Sequence, residues 1–157
     1  MVDDHITGPD GIGYSVNFLR NTKIEDLLFE ISGKRYTVHE TKFPWVKKTF
    51  FGYKIKMKDG WKSFPCPIRS GAIDRLKIVI HIELTPEQKV AVSLHELAHI
   101  VAHHPEGQDL GQEKQATAMA IGWVEKYSVI LKKHKYNPSK IIKELKTREQ
   151  VYEEFRI

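Results

Sequence analysis

Apolar and polar residues alternate over residues 50–57, with Tyr53, Ile55 and Met57 set against Lys54, Lys56 and Lys58. That is the period of a half-buried strand. Asp59-Gly60 followed by Trp61 is a hairpin-turn signal, so residues 61–64 are expected to pair back onto this strand until Pro65 and Pro67 end the pairing. Residues 35–39, rich in aromatic and β-branched side chains, predict a second half-buried strand. Residues 76–82 alternate only in part, which predicts a strand covered on both faces or nearly so.

Helical patterns flank and follow these strands. Thr22 is expected to cap a helix over residues 23–31, with Glu25 and Asp26 in its early turns and Ser32-Gly33 as its stop. Thr85-Pro86-Glu87-Gln88 supplies a cap, a proline at the first helical position and a glutamine three residues after the cap, predicting a helix to about residue 103. Asp109, with Gln112 three residues on, opens another, and the apolar stretch 116–131 sustains it as one long helix. Asn137-Pro138-Ser139 restarts helix for residues 137–157. The order is helix, β-meander, helices, and the predicted fold class is α+β.

Composition narrows the picture. A chain of 157 residues fits one domain over 1–157 and can bury a core without disulfides or a structural metal. A hydrophobic share of 41% beside a charged share of 29% excludes disordered and fibrous classes. Residues 1–13, polar and carrying Asp3, Asp4 and Asp10, read as a flexible lead-in and lack the basic-then-apolar order of a secretory signal. No apolar run approaches the ~20 residues of a membrane span, so a cytoplasmic protein with no membrane partner is expected. The net charge of +5 reads as modest and dispersed, and direct nucleic-acid binding is not expected. The Lys132-Lys133-His134-Lys135 cluster reads as a solvated helix end. Trp45, Trp61 and Trp123 read as core, and His39 and His81 as packed strand residues. Cys66 is the only cysteine, so a metal site must use histidines and carboxylates.

The chemistry centres on His95-Glu96-Leu97-Ala98-His99. Four residues apart on a helix, the two histidines lie about 40° apart in azimuth and one turn apart in height, so both imidazoles reach one ion. Glu96 flanks the same face and is the candidate general base, since a zinc ion lowers the pKa of its water toward ~7 and a neighbouring carboxylate can take the proton. Apolar Val90, Val92, Leu94, Leu97, Ile100 and Val101 bury the rest of the helix. A catalytic zinc takes three protein ligands. Glu113, at the start of the next helix after a return through Pro105, Gly107 and Gly111, is the preferred third; His103 is the alternative, and Asp109 is better explained as a cap. Tyr127, His103, His104 or a tyrosine of the N-terminal half could donate to a developing oxyanion.

Residues 82–99, Ile-Glu-Leu-Thr-Pro-Glu-Gln-Lys followed by an apolar stretch and His-Glu-Leu-Ala-His, resemble the core of the ImmA/IrrE family of metallopeptidases. Glu113-Lys114-Gln115-Ala116 is similar to that family's downstream Glu-x-x-Ala element, which puts Glu113 on the family's third ligand. Ala98 replaces the commoner glycine. Thr117 stands where the family usually has Asp or Asn, a position expected to orient a metal-binding histidine, and the segment after Ala120 departs from the family's apolar run. The resemblance covers about residues 76–125, the expected metal core, with weaker echoes over 130–145; residues 1–75 match nothing in it. It implies a zincin-like domain, with a small antiparallel or mixed sheet packed on the ligand-bearing helices and an extended peptide along the sheet edge. It further implies a zinc endopeptidase acting on a protein partner such as a helix-turn-helix repressor. The alternative is a catalytically weak or inactive metal-binding module that serves regulation or interaction.

Overall fold

The computed structural model describes residues 4–74, 77–105 and 109–155. Strands β1 (Asp4–Thr7) and β2 (Gly13–Val16) form an antiparallel hairpin, Asp4 opposite Val16 and Thr7 opposite Gly13. The lead-in expected over residues 1–13 is therefore structured from residue 4. Polar composition hid a single apolar anchor, Ile6, which is buried at 8% exposure in a cluster with Phe43 and Trp45. Asp10 closes the turn by accepting from the Ile12 N–H and the Tyr14 hydroxyl. Residues 1–3 lie outside the described residues.

β3 (Leu19–Arg20) leads into helix α1 (Thr22–Ser32), and Asn21, not Thr22, is the cap: its side chain accepts from the Ile24 N–H at 2.9 Å. Gly33, in the left-handed region at φ 75°, ends the helix as expected. β4 (Thr37–Thr41) begins two residues later than its sequence pattern suggests. β5 (Val46–Thr49), β6 (Gly52–Met57) and β7 (Gly60–Phe64) form a three-stranded antiparallel sheet. Phe50 and Phe51 belong to the turn before β6 and not to the strand. The β6–β7 hairpin follows the Asp59-Gly60 signal, with Met57 opposite Gly60 and that glycine at φ 115°.

β8 (Gly71–Asp74) and β9 (Lys77–His81) complete a four-stranded sheet of order β3-β4-β9-β8, in which only the β4–β9 pair is parallel. Of the strand expected over 76–82, Leu76 lies outside the described residues. Ile78 and Ile80 enter one core cluster and Val79 the other, so β9 is covered on both faces as its pattern predicts. His81 is buried and accepts from the Phe43 N–H at 3.0 Å, a packed residue as expected.

Helix α2 (Pro86–Val101) starts in a reciprocal box: Gln88 N–H donates to Thr85 Oγ1 at 3.3 Å and Thr85 N–H to Gln88 Oε1 at 3.0 Å. It ends short of residue 103 because Ala102 caps it and His103 turns to φ 55°. Helix α3 (Leu110–Lys126) is capped by Asp109, whose side chain accepts from Gly111 and Gln112. The single helix expected through residue 131 breaks at Tyr127, and α4 (Ser128–Lys133) carries Leu131 into the main core beyond the break. α5 (Pro138–Phe155) follows, with the Asn137 side chain accepting from Ser139 and Lys140 N–H groups.

The fold is α+β, with α2 lying on β8 and β9 and packed in turn against α3 and α5. The main core joins α1, α2, β9 and the later helices through Leu27, Val38, Ile80, Leu94, Leu97 and Val124. The second core lies under the three-stranded sheet and holds Phe43, Trp45, Ile55, Ile68 and Val79. Trp45 is buried and Trp123 packs against the main core, but Trp61 stays 40% exposed with the Lys47 ammonium over its ring, because its strand position faces outward. Cys66 is buried, which pushes its thiol up to about 11. No helix among the described residues is long and apolar enough to cross a membrane.

Candidate metal centre

Burial of the apolar face of α2 fixes the rotation of the helix, and this turns His95 and His99 toward the first turn of α3. Their Nε2 atoms stand 3.1 Å apart. Glu113 meets both: its Oε2 lies 2.7 Å from His95 Nε2 and its Oε1 3.3 Å from His99 Nε2. One ligand atom from each of the three residues falls within 4.8 Å of the others, a group that can hold a metal ion. Ligands tetrahedrally arranged at ~2.0–2.2 Å from an ion stand about 3.3–3.6 Å from one another. The separation of the two Nε2 atoms nearly meets that spacing, while Glu113 turns a different oxygen to each imidazole.

The other ring nitrogens are occupied. His95 Nδ1 lies 3.3 Å from Thr117 Oγ1, so the hydroxyl reaches the imidazole it is expected to orient. His99 Nδ1 lies 2.8 Å from His104 Nδ1, and His104 Nε2 lies 2.6 Å from Gln115 Oε1. His104 thus backs His99 and does not itself belong to the group. His103 is exposed outside the group, Asp109 is a cap, and Gly107 lies outside the described residues. Tyr127 packs against the main core under Lys126.

Burial alone would raise the Glu113 carboxyl, but hydrogen bonds and charge from His95 and His99 outweigh it and hold the group well below the usual carboxylate range. Burial would likewise lower His99, and Glu113 and Glu96 together turn that into an upward shift. Glu96 moves the other way from Glu113: burial raises its pKa beyond what His95 and His99 can offset. Its carboxyl lies against β8, where a Cβ added to Gly71 would come within 3.2 Å of Glu96 Oε1 and 2.4 Å of Val92 Cγ1. Among the described residues β8 is the last strand of its sheet, and it starts beside Glu96.

Three residues of α5 complete the surroundings, and no motif announces them. Arg148, 6% exposed, donates from Nη2 to Ser70 Oγ at 2.8 Å, next to Gly71. Glu153 pairs with Lys114, next to Glu113. Tyr152 lies between Arg148 and Glu153 along α5, its phenol pushed up to about 12 by burial and by the charge of Glu113, with Arg69 and Arg148 pulling the other way. Only the packing of α5 across α2 and α3 brings these side chains to the site.

No protein-family model, curated protein or solved structure matches the chain.

Proposed function

We propose that the protein is a zinc-dependent metallopeptidase of the ImmA/IrrE type, with a zincin-like domain that hydrolyses a peptide bond in a protein partner. The observation that carries this reading is the convergence of His95 and His99 of α2 with Glu113 of α3, next to Glu96 of α2. Two imidazoles and a carboxylate are a donor set suited to zinc, leaving one coordination position for solvent or substrate. Zinc in such a site acts as a Lewis acid and acidifies water. Glu96, with its raised pKa, takes the proton as water attacks the carbonyl and returns it to the leaving amine. The free edge of β8 pairs with the main chain of an extended substrate, and Gly71 lets the backbone approach Glu96 closely. Tyr152 donates from its phenol to the developing oxyanion. The family resemblance suggests a helix-turn-helix repressor as substrate.

A proteome-derived peptide mixture incubated with the zinc-loaded protein tests this by mass spectrometry of new termini. The wild type is expected to generate them, Glu96→Gln to keep one equivalent of zinc and generate none, and Tyr152→Phe to keep zinc and cleave more slowly. Cleavage by Glu96→Gln would overturn the base assignment, and absence of new termini from the zinc-loaded wild type would overturn peptidase activity. A second reading, a metal-binding interaction module without turnover, draws on Thr117, whose neutral hydroxyl supports His95 less strongly than a carboxylate would. Under it, wild type and Glu96→Gln behave alike.

A further inference from the structure

The positive charge of this chain is concentrated, not dispersed as a first reading of the sequence suggests. Residues 42–62 carry seven lysines and one acid, Asp59, a local net of +6 against +5 for the whole chain, so everything outside the segment sums to −1. This segment contains β5, β6 and β7. Strand register divides its side chains between two faces: Val46, Ile55 and Phe64 turn into the second core, while Lys47, Lys54, Lys56 and Trp61 turn outward. Asp10 neutralises Lys56 and Asp59 neutralises Lys62. Lys47 lies over Trp61, and among the described residues Lys48 and Lys54 meet no acidic partner.

At the end of this sheet, in the β5–β6 turn, Phe50 and Phe51 are 95% and 92% exposed, their ring centroids 4.9 Å apart and edge to face. Thr49 and Gly52 close the turn, Lys48 and Tyr53 pair one step behind it on one face, and Lys47 and Lys54 pair a further step behind on the other. An apolar tip is thus backed by ammonium groups on both faces of the ribbon. Two adjacent phenylalanines left in water are unfavourable unless a partner covers them.

We propose that the β5–β6 hairpin docks the protein on an anionic lipid bilayer, Phe50 and Phe51 entering the interface and Lys47, Lys48 and Lys54 meeting the headgroups. A lipid surface fits both parts of the motif, since apolar insertion and attraction to anionic headgroups add. A nucleic acid fits less well. It would lie along the outer face of the sheet, past which the phenylalanines project, and the ring faces that bases stack on are partly covered by the edge-to-face pair and by Lys47. None of the docking residues belongs to the group His95, His99 and Glu113. The inference does not depend on the peptidase reading.

Co-sedimentation of the full chain with vesicles of phosphatidylcholine plus phosphatidylserine, beside vesicles of phosphatidylcholine alone, tests it. The protein is expected to pellet with the anionic vesicles and largely stay in solution with the neutral ones. Phe50→Ser with Phe51→Ser is expected to cut partitioning at least tenfold. Lys48→Glu with Lys54→Glu should cost more than the roughly fivefold per lysine expected from loss of charge alone. Both pairs are surface residues, and unchanged circular dichroism and melting confirm that each variant is folded. Glu96→Gln should bind vesicles like the wild type, which separates this test from that of catalysis. Failure to pellet with anionic vesicles, equal pelleting by the Phe50/Phe51 variant, or tighter binding to a single-stranded oligonucleotide than to the vesicles would overturn the proposal.

Discussion

Glu25 ties three elements together with one carboxylate. It accepts from Arg20 Nε at 2.6 Å, Arg20 Nη2 at 2.5 Å and the Val38 N–H at 3.1 Å, joining α1 to β3 and β4. The Arg20 hydrogen bonds lower its pKa against the opposing effect of burial. Since the folded value lies below the unfolded one, the stabilisation is complete above the ordinary carboxyl value of 4.5 and fades as pH falls through the folded pKa. Glu25→Gln is therefore expected to cost about 1–2 kcal/mol at neutral pH, toward the lower end of charge-assisted hydrogen bonds because Arg20 is half exposed. Urea denaturation at pH 7 and again near pH 3 checks this: the gap between variant and wild type should narrow at the lower pH, and a gap that stays constant counts against the linkage. The same scale accounts for what a sequence discloses about the metal site. His95 and His99 are legible because helical spacing alone aligns them, whereas Tyr152 and Arg148 depend on contacts between distant helices.

Elements with strong local signals were legible, and those defined by their partners were not. Thr85-Pro86 and Asp109 carry their helix starts in their own side chains, and β9 carries its burial in an unbroken apolar run. β5 contains adjacent lysines, and β8 is only Gly-Ala-Ile-Asp, so each becomes a strand by pairing with a neighbour. β8 is nonetheless the element to which the proposed function gives substrate positioning. Gly71→Ala is expected to push β8 away from α2, since the new methyl would meet Val92 Cγ1 at 2.4 Å and Glu96 at 3.2 Å. A stability loss of about 1–3 kcal/mol should accompany reduced peptide cleavage with zinc content unchanged, because His95, His99 and Glu113 all lie outside β8. Zinc analysis beside a cleavage assay reads both, and full activity in this variant would argue against a role for that strand edge.

Across the whole molecule, the main core and the metal centre share α2 and α3 but rest on different side chains. Leu94, Leu97, Ala120 and Val124 are fully buried without reference to His95, His99 or Glu113. A chain of 157 residues has enough apolar surface to fold without a metal, and Glu113 already bonds to both histidines. Chelation should therefore leave a folded protein, unlike a small domain whose zinc supplies the folding energy. Metal that binds only the native state still stabilises it, by about 2.7 kcal/mol at a free concentration 100 times Kd, equivalent to a Tm increase of roughly 5–10 °C for a domain of this size. Thermal melts with EDTA and then with added zinc measure both quantities. Wild type should melt cooperatively in EDTA and gain stability with zinc, whereas Glu113→Gln should melt cooperatively and gain much less. Loss of the cooperative transition in EDTA would make the metal structural, and the open coordination position that peptide hydrolysis requires would then lose its main support.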